Sequence, residues 1–151
     1  MNTRVRAAAA GAAAATIWGL LEPLDRRLLR CDYSDVAIVG KAVTRGPAWR
    51  PLGFVLHAAN GAAFGIAFDE ARRRITRPGL TPTRLAVGMA LAEHVALYPL
   101  SAFVDRHHPA RGEAGVPPLL TNPRAFLQAT WRHAVFGLVL GELATSRGRS
   151  R

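Results

Sequence analysis

Cysteine and lysine are almost missing from this chain: Cys31 and Lys41 each stand alone. A single thiol excludes an internal disulfide and any multi-cysteine metal motif. Acidic residues are scarce as well, 10 against 20 Lys and Arg, which leaves a formal charge of +10 and a pI near 11.6. Nothing in the chain resembles a nucleophile elbow or a catalytic triad. Gly40-Lys41 is no phosphate loop, because the glycine needed five residues earlier is Asp35. No predicted helix carries the Glu-x-x-His or His-Glu-x-x-His spacing of a strong metal site. The sequence therefore points away from an enzyme and names no cofactor.

What is present is long stretches almost free of charge. Mean hydropathy is only +0.10, but the mean hides a segregation. Arginines gather in blocks (Arg26, Arg27, Arg30; Arg72, Arg73, Arg74, Arg77; Arg147, Arg149, Arg151), and apolar segments lie between them. Four predicted spans result, over 6–24, 51–69, 83–104 and 124–145. Each is close to the roughly 20 residues that a helix needs to cross about 30 Å of hydrocarbon. Pro51, Pro82 and Pro123 sit at or just before span starts, where a missing N–H costs nothing. Met1–Arg6 and the Ala-rich 7–21 have the look of a signal peptide, yet the apolar run continues through Ile17, Trp18, Leu20 and Leu21 to Glu22-Pro23. A retained first span is the expectation. The fold class is thus all-α, a four-transmembrane-helix bundle forming a single membrane domain. A short extra helix over about 35–45, capped by Ser34 and ended by Gly46-Pro47, is expected in the first long loop. The segment 106–123, with Gly112, Gly115, Pro117 and Pro118, reads as loop.

A shift of 76 residues aligns the two halves, about 5–75 and 81–151, without gaps. Pro23-Leu24 then falls on Pro99-Leu100, Arg30 on Arg106, and Pro47 on Pro123. His57-x3-Gly61-x3-Gly65 falls on His133-x3-Gly137-x3-Gly141. Two tandem two-helix repeats would be related by a pseudo-two-fold axis along the membrane normal. Glycines four apart leave a groove that another backbone can approach closely. The Gly61/Gly65 and Gly137/Gly141 faces are therefore expected to pack tightly, within the bundle or in a homodimer.

The spans are not strongly apolar. Span 3 holds eight Leu, Val or Phe residues, favourable by about 0.3–0.6 kcal/mol each, while a charged Glu93 costs about 2.5–3.5 kcal/mol. The two terms nearly cancel, so the polar side of span 3 should face its neighbours. His94, Tyr98, Ser101 and Asp105 share that face at i, i+4, i+7, i+11. Pro99 should kink the helix beside them. Spans 1 and 3 end on the membrane side where spans 2 and 4 begin. Glu22, Asp25, His57, Asn60, Tyr98, Ser101, Asp105, His107, His108 and His133 therefore belong to one half of the bilayer, with Glu93, His94 and Arg132 deeper. Arg132 must find an anion, and Glu93 or Glu22 are the acids expected in reach. A pocket formed by Glu22, His57, Asn60, Glu93, His94, Tyr98, Asp105, Arg132 and His133 follows, and His57, His94 and His133 are the metal-ligand set if a metal or haem binds.

The segments EPLDRRLLRCDYSDVAIVGKAVTRG (22–46), HAANGAAFG (57–65), AEHVALYP (92–99), DRHHPARGE (105–113) and WRHAVFG (131–137) resemble a group of small multi-pass membrane proteins of actinobacteria with no established activity. The resemblance covers most of the chain. It implies a membrane location and a multi-span fold, and carries over no cofactor or catalytic residue. Arginine density places both termini on the cytoplasmic side of the cell membrane. Three functional expectations stand: a non-enzymatic structural or small-ligand-binding membrane protein, a metal- or haem-dependent redox protein, and a soluble basic protein that touches nucleic acid. The last is disfavoured because 7–21 and 134–141 have no polar face. Nucleic acid is not expected as a partner; the lipid bilayer is.

Overall fold

A computed structural model of the chain describes residues 2–146. The third arginine block lies outside the described residues. Helix α1 spans Thr3–Leu29, α2 Asp35–Val43, α3 Trp49–Arg74, α4 Pro82–Leu97, α5 Ser101–His107 and α6 Pro123–Ser146. A 3-10 turn, Tyr98–Leu100, joins α4 and α5 into one bent rod. Among the described residues there is no strand, only an isolated bridge between Tyr33 and Gly115. Three of these helices, Thr3–Leu29, Trp49–Arg74 and the bent rod Pro82–His107, are long and apolar enough to cross a membrane. Helix α6 has the length, but Gln128, Arg132 and His133 lower its hydropathy and it is not among the three.

The helix boundaries follow their punctuation. Asn2 caps α1 through Arg4 N (3.0 Å), Ser34 caps α2 through Ala37 N (3.0 Å), and Thr81 caps α4 with Pro82 in its first turn. Asn122 accepts from Arg124 N and Ala125 N at the start of α6. Pro99 leaves its mark as the 3-10 turn beside His94. Pro23 does not: α1 runs through it to Leu29 and stops at Arg30, which takes the left-handed conformation (φ 49°). The first span is therefore longer than the predicted 6–24, and Glu22 and Asp25 lie inside a helix.

Two helix pairs form the frame, α1 with α3 and α4 with α6. Both are closed by glycine. A Cβ on Gly61 would overlap Gly11 and Ala15, and one on Gly65 would overlap Ala7. In the second pair a Cβ on Gly137 would overlap Val87, and one on Gly141 would overlap Thr83. Both glycine faces are thus filled by helices of the same chain. The pairs then meet along α1 and α6, whereas α3 and α4 scarcely touch. Trp18, Phe136, Phe68 and Leu140 fill the middle among small residues such as Ala14, Ala86 and Ala90.

At one end α2 packs on α3 through Gly40 and Gly53. The 108–122 connection folds over it as an ordered cap. His108 donates from Nε2 to the Ile38 carbonyl (2.9 Å), Lys41 donates to Ala114 O (2.8 Å), and Ser34 N donates to Gly115 O (3.0 Å). Gly115, at φ 85° and pressed on Ala37, occupies a position few other residues could take.

Candidate functional site

The polar side chains of the bundle sort into an ion cluster and a cleft. The cluster centres on Arg132, almost fully buried on α6. Its Nε and Nη2 grip the Asp25 carboxylate at 2.6 Å each, its Nη1 reaches Asp35 at 2.8 Å, and Nη2 also donates to Tyr33 O at 3.0 Å. Glu22 stays 3.6 Å away. Gln128, one turn earlier, donates to the same Asp25 oxygen at 2.6 Å. The guanidinium lies over the Tyr33 ring, 4.8 Å from its centroid. A two-pronged Arg–carboxylate contact is the strongest form of such a pair, and an unpaired guanidinium buried this fully would be very costly.

Glu22 serves α2. Its carboxylate accepts from Ser34 Oγ (2.5 Å), Asp35 N (2.8 Å) and Val36 N (3.3 Å), so an anion sits on the first turn of that helix. The cluster therefore fastens α1, α2 and α6 together. Burial pushes the Asp35 carboxyl up, but Arg132, with help from His57 and the Tyr33 hydroxyl, outweighs it and leaves Asp35 below its ordinary range. Burial and the neighbouring Asp35 push the Tyr33 phenol well above its own.

The sequence points to Glu93 or Glu22 as the partner of Arg132. Glu22 does pair with it, at 3.6 Å, but Asp25 and Asp35 hold it more closely. Asp25 is within reach because α1 continues past Pro23, and Asp35 because α2 docks on the bundle rather than on its surroundings. Glu93 takes no part in the cluster. Asp105 leaves the pocket as well: it accepts from Leu119 N (2.8 Å) and Leu120 N (2.9 Å) and so holds the end of the cap loop.

The cleft has a volume of about 310 Å³ and lies between α3 and α4. His57 and Asn60 line it from α3, Glu93, His94 and Tyr98 from the bent rod, and His133 from α6. Trp18 of α1 and Asp35 of α2 stand in the same wall. Sequence pattern named six of these side chains; Trp18 and Asp35 it did not. A tryptophan in an Ala-rich helix carries no signal of its own, and only its position one half-repeat from His94 could have marked it.

The rings of the cleft form a chain. Trp18 meets His57 edge-on (centroids 4.9 Å) and His133 (4.8 Å), and His133 stacks on His94 (4.8 Å, 30° between planes). His133 Nδ1 donates to its own helix at Ala129 O (2.7 Å). His94 Nε2 donates to Thr130 Oγ1 (2.9 Å), whose proton goes to Phe126 O (2.8 Å). Tyr98 donates to Leu119 O (2.6 Å). Trp18 Nε1 and His57 Nε2 are different: both are buried and neither has a hydrogen-bond partner among the described residues.

Stacked and edge-on rings do not direct three lone pairs at one point. Among the described residues no three His, Cys, Asp or Glu side chains are arranged to hold a metal ion, so the His57, His94 and His133 set does not fit a metal centre in this arrangement. Comparison of the chain with protein family models, with curated proteins and with solved structures finds no match.

Proposed function

We propose that the chain is a four-span protein of the cell membrane that binds a small molecule, without transforming it, in the cleft between α3 and α4. The single observation that carries the ligand is the pair Trp18 Nε1 and His57 Nε2, buried at that cleft with nothing to bond. Buried polar groups are partnered in the great majority of proteins, and an orphan pair beside a cavity is a place where a partner arrives.

The fourth span rests on which side chains turn outward. Helix α6 exposes Phe126, Leu127, Trp131 and Leu138 while it buries Gln128 and Arg132. Helix α1 likewise exposes Leu20, Leu24 and Leu28 while it buries Glu22 and Asp25. Water reverses that preference; lipid favours it. The short apolar window of α6 is then a consequence of its inward polar face. Both termini lie on the cytoplasmic side in this reading, with Arg4, Arg6, Arg72, Arg73, Arg74, Arg77 and Arg84 at that end.

The tandem repeat belongs to the same reading. Adding 76 to Gly61 and its neighbour Gly11 gives Gly137 and its neighbour Val87. Adding 76 to Gly65 and Ala7 gives Gly141 and Thr83. The sequence register thus maps one set of backbone contacts onto the other. It also explains why a cleft exists. The repeat creates two seams, α1–α6 and α4–α3. Arg132 and Asp25 bind the first together; their counterparts in the second are Leu56 and Ser101, which cannot pair.

Native mass spectrometry of the protein released from its own membrane tests the ligand. A small adduct is expected on the wild type and not on Trp18→Phe/His57→Leu. Bare protein in every preparation would contradict the proposal.

A further inference from the structure

We infer that the ligand carries a hydroxyl group on an apolar body, as a membrane-soluble alcohol or phenol does, and that Trp18 and His57 hold that hydroxyl between them; this rests on the cleft being a ligand site. Both residues are more than nine-tenths buried, at 7 % relative exposure each, and both line the cleft. An indole N–H can only donate. The His57 ring lies beside the Ala15 backbone, inside a helix where only the carbonyl is open to a side chain. With the ring proton on the nitrogen facing Ala15, the unpartnered Nε2 is an acceptor. The two rings meet at 4.9 Å. A hydroxyl is the smallest group that accepts from one and donates to the other.

The other rings add acceptors. His133 spends its proton on Ala129 O and His94 spends its own on Thr130, which leaves His133 Nε2 and His94 Nδ1 bare in the neutral rings. Asp35 and Glu93 stand in the same wall. A ligand with acceptors alone, such as an ether, ketone or carboxylate, satisfies only Trp18. An alkylammonium, the form an amine takes in neutral water, satisfies the imidazoles and leaves Trp18 unpaired. Only a group that does both closes the site.

The apolar body follows from the rim. Ile38, Val39, Leu97, Leu100 and Val104 line the cleft, and Leu97 and Leu100 are more than half exposed. Because α3 and α4 scarcely touch, a tail leaves sideways between them, into lipid.

The test uses the full chain with Trp49→Phe and Trp131→Phe, so that Trp18 alone reports. Its emission is titrated in detergent with four probes: decanol, a decyl hydroquinone, the dimethyl ether of that hydroquinone, and decylamine. The hydroxyl probes should bind at least about tenfold more tightly than the ether and the amine, as expected when a buried pair is satisfied rather than left open. Decanol against hydroquinone separates an alcohol from a phenol as the natural class. His57→Leu should erase the preference while the ether binds as before, and His57→Gln, which keeps an acceptor, should retain it. Ether or amine binding as tightly as the hydroxyl probes would overturn the inference and leave the cleft standing. Failure of all four would remove the ligand site itself.

Discussion

Replacing Arg132 by Met leaves the carboxylates of Asp25, Asp35 and Glu22 crowded together with no cation between them. Breaking a buried pair in this one-sided way costs about 3–5 kcal/mol, read as a loss of stability in a detergent unfolding titration; Glu93→Gln, outside the cluster, should change little. Asp35 gives the cluster a pH signature. Its folded pKa lies below the ordinary value, so its contribution is complete above about pH 4 and is lost as pH falls through the folded pKa. Asp35→Asn should flatten that acid limb of stability against pH. The need of Arg132 for an anion is legible in the sequence, because a guanidinium in an otherwise apolar helix has no other recourse. Which anion is not legible. Asp25 stands beyond a proline that promised a helix end, and Asp35 lies in a connection whose docking depends on Gly40 and Gly53 meeting.

Among the helices, glycine decides how closely each pair approaches. Gly61→Ala and Gly137→Ala each force a methyl into a facing backbone, at Gly11 and at Val87, and each should cost about 1–3 kcal/mol. Gly88, on α4 with nothing within 4 Å of an added Cβ, is the control: Gly88→Ala should stay within about 0.5 kcal/mol. Thermal denaturation of the three variants in one detergent compares them directly. The pattern of these glycines, the cap at Ser34 and the disturbance at Pro99 were all readable from residue type and spacing, since each acts locally. Pro23 was misleading for a physical reason. A proline breaks one backbone bond, but tertiary contacts such as Glu22 to Ser34 and Asp25 to Arg132 hold the helix through it.

At the scale of the molecule, the proposed repeat makes the cleft the unpaired half of a two-fold plan, and the outward apolar side chains of α1 and α6 support the proposed lipid surroundings. The sequence pointed to six cleft residues because polar side chains within apolar spans are costly outside an interior. It missed that α3 and α4 scarcely touch, which under the proposed repeat follows from Leu56 and Ser101 standing where Arg132 and Asp25 bind the other seam. Side-specific labelling of single cysteines in native membranes tests the central claim, on a Cys31→Ser background. Cysteine at Arg77 and at Arg111, both exposed, should react with an impermeant maleimide from opposite sides, while cysteine at Trp131 and Leu138, the exposed face of α6, should be shielded from both. Free labelling at Trp131 and Leu138, with positions 77 and 111 open to the same side, would contradict a four-span bundle.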